Sequence, residues 1–248
     1  AGRLGLDAQV NSVDWNSIVD RVFNNRIDQI AQGGEQYRRG EETPNITVYD
    51  EHARFVGPKT IQTGNHVISG EQIVIAAGSR PVIPEVYATS GVKYYTNEDI
   101  MRMDHQPESL IVVGGGYIAM EFAHVFDGLG TKVTVVNRSE TLLRHLDDDI
   151  SRRFNQIARD RFDVRIATGT KLEKTDNGVR LVLDNGESVE AEAILVATGR
   201  TPNGDQMDVD KAGIGLLADA RVSTDEFGRT TAEGVWALGD VSSPYMLK

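Results

Sequence analysis

Leu110-Ile-Val-Val-Gly-Gly-Gly-Tyr-Ile-Ala119 is the stretch that decides the fold of this chain. Four apolar residues read as a strand, three glycines as a turn, and the residues from Tyr117 as a helix opening inside the motif. Gly114, Gly116 and Ala119 fit the G-x-G-x-x-A spacing of a dinucleotide-binding turn. The first glycine permits the tight turn and the second lets backbone approach a pyrophosphate. The small third residue allows close helix–strand packing. The helix N-terminus adds free N–H groups and a partial positive charge. The spacing alone is a weak signal; the strand–turn–helix context gives it meaning.

Downstream, the first helix reaches about Leu129, residues 132–136 read as a second strand, and a helix and a strand follow at 148–161 and 164–166. An NAD site places Asp or Glu at the end of the second strand, to bond the ribose 2′-hydroxyl. Here Asn137-Arg138 stands there, with Arg144 six residues on and Glu140 between the two arginines. A neutral residue with two guanidinium groups suits a 2′-phosphate, which a carboxylate would repel. The spacing therefore favours NADP(H) over NAD(H). Asp176-Asn-Gly178 and Asp184-Asn-Gly186 then punctuate a meander, which closes on a buried strand at 193–196.

Upstream, apolar residues recur with a 3.6 period from Asp14 to about Arg39, with Asp14 as N-cap and Gly33-Gly34 as a candidate break. Short strands are expected at 46–49, 53–56, 60–63 and 66–68, ending in a buried strand at 72–77 that runs into Gly78. The phrase Gln72-Ile-Val-Ile-Ala-Ala-Gly-Ser-Arg-Pro81 recurs as Ala193-Ile-Leu-Val-Ala-Thr-Gly-Arg-Thr-Pro202. Each copy follows a meander. The second copy ends a unit that opens with a βαβ; the first copy has no such head.

Composition excludes several functions. The 248 residues hold no cysteine, which rules out a disulfide scaffold, a thiolate metal site, an iron–sulfur cluster and a cysteine nucleophile among them. A net charge of −11 argues against a nucleic-acid partner. No apolar run approaches the ~18 residues of a membrane helix and no leader is evident, so a cytoplasmic protein is expected. His52, His66, His105, His124 and His145 lack ligand spacing, and Asp147-Asp-Asp149 reads as helix capping, so no metal is expected. Trp15 and Trp236 read as core.

With these residues placed, the chain resembles the FAD-dependent pyridine nucleotide–disulfide oxidoreductases over nearly its whole length. Gly114-Gly-Gly-Tyr-Ile-Ala-Met-Glu-Phe122, Ala197-Thr-Gly-Arg-Thr-Pro-Asn203 and Thr231-Ala-Glu-Gly-Val-Trp-Ala-Leu-Gly-Asp240 carry the resemblance. Within the family, Gln36-Tyr-Arg-Arg39, Leu142-Leu-Arg-His-Leu-Asp-Asp148 and Gly239-Asp-Val-Ser-Ser-Pro-Tyr245 are most similar to the branch that reduces mycothione, the disulfide of mycothiol. The resemblance implies NADP(H) and FAD as cofactors. Tyr117 is then an aromatic lid over the flavin, and Glu121 the partner of a lysine not in this chain. Arg138 and Arg144 meet the 2′-phosphate. His52 and Ala53 contact the adenosine end of the flavin through backbone, with Ala77 and Gly78 nearby. Asp240 accepts from the ribityl chain, and Met246, Leu247 and Lys248 approach the flavin pyrimidine. Gly114, Gly116, Ile118 and Gly199 complete the implied cofactor-binding set.

The implied fold class is α/β: a Rossmann-like domain, with a parallel sheet and a three-stranded meander, inserted in a partial FAD-binding domain. Residues 1–90 are expected as a remnant of the FAD-binding domain, 91–203 as the NADP(H)-binding domain and 204–248 as the return segment. The implied parent passes hydride from NADPH through FAD to a cysteine pair and on to a low-molecular-weight disulfide. It is expected to form a homodimer through a C-terminal domain. The family's C-x4-C pair, its N-terminal G-x-G-x-x-G and its C-terminal His-Glu pair are not among these residues. The chain therefore reads as a piece truncated at both ends, with no catalytic residue of its own. Two other readings stand beside this one: a cysteine-independent flavin NAD(P)H oxidase or ferredoxin-type reductase, and a non-catalytic NADP-binding module.

Overall fold

The computed structural model describes Gly5 and residues 10–246. The chain opens with helix α1 (Trp15–Val19), a π-helical stretch (Asp20–Ile27) and α2 (Asp28–Arg39). Strands β1 (Ala53–Gly57), β2 (Thr60–Thr63), β3 (His66–Ser69), β4 (Ile73–Ile75) and β5 (Ser79–Pro81) precede the short helix α3 (Glu85–Ala88). The glycine motif lies between β6 (Ser109–Val113) and α4 (Tyr117–Gly128), followed by β7 (Lys132–Asn137), α5 (Asp148–Arg161) and β8 (Asp163–Ile166). A meander of β9 (Gly169–Thr175), β10 (Gly178–Leu183) and β11 (Ser188–Ala191) leads into β12 (Ala193–Val196), β13 (Arg200–Pro202) and β14 (Val235–Ala237).

Two compact units result: one holds the chain up to Gln36 and Ile83–Thr198, the other Tyr37–Val82 and the chain from Gly199. The boundaries thus fall after 36, 82 and 198, and the N-terminal helix groups with Ile83–Thr198. Trp15 is the reason. It is buried, stacks on Phe126 at 5.5 Å between centroids, and its indole N–H donates to the Met103 carbonyl at 2.7 Å.

The first unit is built on a parallel sheet of order β12-β6-β7-β8. Alternation along β6 sends Leu110 and Val112 into a core with Ala119, Ala123 and Phe126 of α4, and Ala158 of α5. Ile111 and Val113 face the other way, into a core with Leu172, Val179 and Leu181 of the meander. Both faces are covered, which is why β6 and β12 read as unbroken apolar runs. In the second unit, β1, β2 and β3 form an antiparallel sheet, β4 pairs with β14 in parallel, and β5 pairs with β13 antiparallel. The last pair joins the two copies of the recurring phrase, Ser79 opposite Pro202 and Pro81 opposite Arg200.

Four local expectations are corrected. Residues 46–49 form no strand: Ile46 donates to the Thr43 carbonyl in a turn, and Ile46 and Tyr49 are exposed, so neither ladder nor core holds an extended segment. The helix runs through Gly33-Gly34 unbroken, and its irregularity falls earlier, in the π-helical stretch. Next to it Arg102 donates twice to Asp28, the first residue of α2 (2.8 and 3.0 Å), and lies over the Phe23 ring of the stretch itself. The strand before Gly78 is short and half exposed, with Val74 facing solvent. Trp236 is half-buried in β14, next to it. The capping expectations hold: Asp14 accepts from Ser17 N, and Asp147 from Asp149 N and Ile150 N. Among the described residues, no helix is long and apolar enough to cross a membrane and no cluster of metal-ligating side chains occurs.

Candidate functional site

The turn between β6 and α4 is constrained differently at each glycine. Gly114 is buried at φ +127, and a Cβ there would overlap the Ala197 carbonyl oxygen. Its N–H donates to the Val136 carbonyl at 2.9 Å. Gly116, the N-cap of α4, has φ −82, and a Cβ there meets nothing within 4 Å. Gly116 can give no side-chain cap to this helix, and the N-terminal end of a helix dipole favours an anion. Ala119 is fully buried against the sheet, Ile118 is half-buried, and Tyr117 and Glu121 are exposed one turn apart. An open, uncapped helix start next to bare backbone fits a pyrophosphate.

Asn137 ends β7 as a buried neutral residue. Its Nδ2 donates to the Ser139 carbonyl at 2.7 Å, and its amide covers Gly115, whose Cβ would come within 2.7 Å of it. Arg138 and Arg144 follow, both exposed and neither in an ion pair among the described residues. Arg144 Nε donates to His145 Nε2 at 3.2 Å, and Glu140 neutralises neither arginine.

The loop 138–147 that carries them is held from α5. Leu142 is fully buried; its N–H donates to Asn155 Oδ1 (2.9 Å) and its carbonyl accepts from Asn155 Nδ2 (2.9 Å) and Ser151 Oγ (3.0 Å). Arg159 donates to the Glu140 carbonyl at 3.0 Å. Leu143, at φ +54, donates to the Gly115 carbonyl at 2.7 Å and so joins this loop to the glycine turn. Sequence reasoning missed Ser151 and Asn155. Their signal was a polar stripe at 151, 155 and 159, which shares one face of the helix.

The remaining candidates lie in the second unit. His52 and Ala53 are exposed at the start of β1, where His52 Nε2 donates to the Gln206 carbonyl at 2.7 Å. The carbonyls of Ala77 and Gly78 accept from Asn203 Nδ2 (2.8 Å) and Asn203 N (3.0 Å). Arg80 forks onto Asp205 at 2.9 and 2.7 Å, and these bonds hold that carboxyl below the usual carboxylate range. Gly199, at φ +149, accepts from Val82 N at 2.9 Å. Asp240 is largely buried, with Oδ2 accepting from Ser79 Oγ at 2.7 Å, while Arg200 Nε donates to the same hydroxyl at 2.7 Å. Asp240 Oδ1 has no protein partner among the described residues, which fits a ligand hydroxyl. Met246 is half-buried at φ +47, and Leu247 lies outside the described residues. Sequence reasoning also missed Ser79, Arg80 and Arg200, although the recurring phrase contains all three.

The structure therefore gathers Gly114, Gly116, Tyr117, Ile118, Glu121, Arg138 and Arg144 in the first unit. It gathers His52, Ala53, Ala77, Gly78, Gly199, Asp240 and Met246 in the second. A family model described as pyridine nucleotide-disulphide oxidoreductase matches residues 7–247. Mycothione reductase of Mycobacterium tuberculosis (strain ATCC 25618 / H37Rv) is 48% identical over 257 residues, covering 100% of this chain and 55% of that protein. Glutathione reductase of Burkholderia cepacia is 29% identical over 245 residues, covering 98% of this chain and 53% of that protein. The solved HOCl-induced flavoprotein disulfide reductase RclA from Escherichia coli superposes with a TM-score of 0.78 at 28% identity, covering 90% of this chain and 52% of that chain. The chain spans about half the length of the curated relatives it matches. With its glycine turn, parallel sheet and recurring phrase all inside the matched residues, the chain belongs to the pyridine nucleotide-disulphide oxidoreductase family.

Proposed function

We propose that this chain binds NADP(H) and FAD as part of a cytoplasmic, homodimeric flavoprotein disulfide reductase whose substrate is a low-molecular-weight disulfide, mycothione. One observation carries the nucleotide choice. The end of β7 presents a buried neutral Asn137 and then two arginines without carboxylate partners among the described residues, on a loop bonded to the glycine turn. A 2′-phosphate takes guanidinium groups as charge-assisted, bidentate partners. The pyrophosphate lies against Gly116 and the N–H groups that open α4. The nucleotide supplies hydride when bound, while the protein supplies binding, orientation and electrostatics.

For the flavin, Asp240 offers its open Oδ1 to a ribityl hydroxyl, with Oδ2 fixed by Ser79. His52, Ala53, Ala77, Gly78 and Met246 contribute exposed or half-buried backbone, and Gly199 stands on the second copy of the recurring phrase. The roles of Tyr117 as flavin cover and Glu121 as partner of a lysine belong to the same reading. Identity of 48% to a mycothione reductase across the whole chain supports the substrate choice.

The test is calorimetric titration of NADP+ and NAD+ into the chain and into a variant with Arg138→Glu and Arg144→Ala. The variant is expected to bind NADP+ about 100-fold more weakly, at ~1.5–3 kcal/mol per charged hydrogen bond lost, with NAD+ nearly unaffected. Equal losses for both nucleotides would show that the arginines are bystanders.

A further inference from the structure

We infer that Asn155 is a specificity-determining positioning residue: by gripping the Leu142 peptide groups it sets where Arg138 and Arg144 stand, and hence the discrimination between NADP(H) and NAD(H). The inference rests on the NADP(H) reading above and goes beyond it, because Asn155 lies on α5 and makes its contacts to the loop backbone.

The geometry is specific. A single side-chain amide meets both polar groups of one residue, Oδ1 taking the Leu142 N–H and Nδ2 giving to the Leu142 carbonyl, each at 2.9 Å. Ser151 adds a third bond to the same carbonyl at 3.0 Å. Leu142 lies four residues after Arg138 and two before Arg144, so the grip falls between the two cations. The next residue, Leu143, is held in the left-handed region at φ +54, where its N–H reaches the Gly115 carbonyl. A leucine there is strained and stays only because its surroundings over-determine it. Asn155 and the buried Leu142 side chain supply that determination.

The energetic consequence separates the two nucleotides. Exposed arginines on a free loop must be ordered when a phosphate binds, and ordering costs affinity. A loop already fastened at Leu142 and Leu143 has met much of that cost in folding. The pyrophosphate contacts use Gly116 and the start of α4, and neither receives a hydrogen bond from Asn155. Release of the loop therefore weakens the ligand that carries a 2′-phosphate and spares the one that lacks it. A merely structural asparagine would weaken both in proportion to lost stability.

The experiment compares Asn155→Leu and Ser151→Ala with the unaltered chain, titrating NADP+ and NAD+ and recording thermal melts. Asn155→Leu is expected to weaken NADP+ about tenfold while NAD+ changes less than about twofold. Ser151→Ala is expected to shift the ratio the same way by a smaller factor, and it keeps the test open if the leucine variant does not fold. Added to Arg138→Glu with Arg144→Ala, Asn155→Leu is expected to change NADP+ binding no further, since the groups it positions are gone. Equal weakening of both nucleotides, or no change in their ratio, overturns the inference. If the arginine variant discriminates and the Asn155 variant does not, the positioning role alone falls. If the arginine variant shows no discrimination, or the unaltered chain binds neither nucleotide, the NADP(H) reading falls and this inference with it.

Discussion

Gly114 and Gly116 stand two residues apart in one turn, and the reasons each must be glycine have different origins. At Gly114 the reason lies inside the protein: positive φ, a buried position and the Ala197 carbonyl oxygen where a Cβ would go. At Gly116 the backbone is ordinary and the space beyond is open, so the protein itself has no need of glycine. Gly114→Ala is therefore expected to destabilise the fold by about 1–3 kcal/mol, lowering the melting temperature by several degrees. Gly116→Ala is expected to leave the melt within about 0.5 kcal/mol of the unaltered protein. Under the proposed function it also weakens both NADP+ and NAD+, because the methyl occupies the pyrophosphate's approach. Thermal melts paired with nucleotide titrations separate the two. A Gly116→Ala variant that melted as early as Gly114→Ala would refute the open space at the helix start.

At the scale of elements, the entry of β12 into the parallel sheet is stitched by Glu192. Its carboxylate accepts from His105 Nε2 at 2.5 Å and from Glu108 N at 2.7 Å, while its own N–H donates to Ser109 Oγ at 3.0 Å. Burial works against the charge on Glu192, but the bonds from His105 and Glu108 outweigh it and hold the carboxyl below its ordinary value. A depressed folded value means that the unfolded chain takes up the proton first as pH falls. The stabilisation is then complete above the ordinary value of 4.5 and is lost as pH drops through the folded one. Glu192→Gln is expected to lower stability at neutral pH by on the order of 1 kcal/mol, and the gap should close below about pH 4. Urea unfolding across that range checks it, and a gap independent of pH would show that charge plays no part. Much of this sheet was legible, because burial on both faces writes β6 and β12 as apolar runs between glycines. The π-helical stretch was not, and the contacts Arg102 makes beside it come from 74 residues away. Residues 46–49 misled because an apolar run alone does not reveal that no neighbouring strand is there to pair with it. The glycine turn was legible from spacing, and so was the place of both arginines just after β7. Asn155 showed only as one member of a polar stripe, because its partner is a loop backbone group 13 residues upstream and the stripe does not say what it holds.

Across the whole molecule, the recurring phrase does its work inside the second unit: its two copies pair as β5 and β13, and the hydrogen-bonded run from Arg200 through Ser79 to Asp240 takes one residue from each copy. What composition withholds is as definite as what the fold supplies. Disulfide exchange requires a thiolate to attack one sulfur and form a mixed disulfide, which a second thiolate resolves. The 248 residues contain no cysteine, so neither attack can start from this chain. His52, His66, His105, His124 and His145 supply no substitute, since imidazole moves protons and forms no mixed disulfide. Under the proposed function, nucleotide binding and disulfide reduction should therefore come apart. The chain incubated with NADPH and a small disulfide is expected to bind the nucleotide yet release no thiol above the uncatalysed rate, followed by NADPH absorbance and by thiol titration. Addition of a cysteine-bearing polypeptide from the same family is the condition under which turnover is expected. Thiol release by the chain alone would require electrons to reach the disulfide without a protein thiol, and it would overturn the disulfide-reductase reading in favour of the cysteine-independent flavin enzyme.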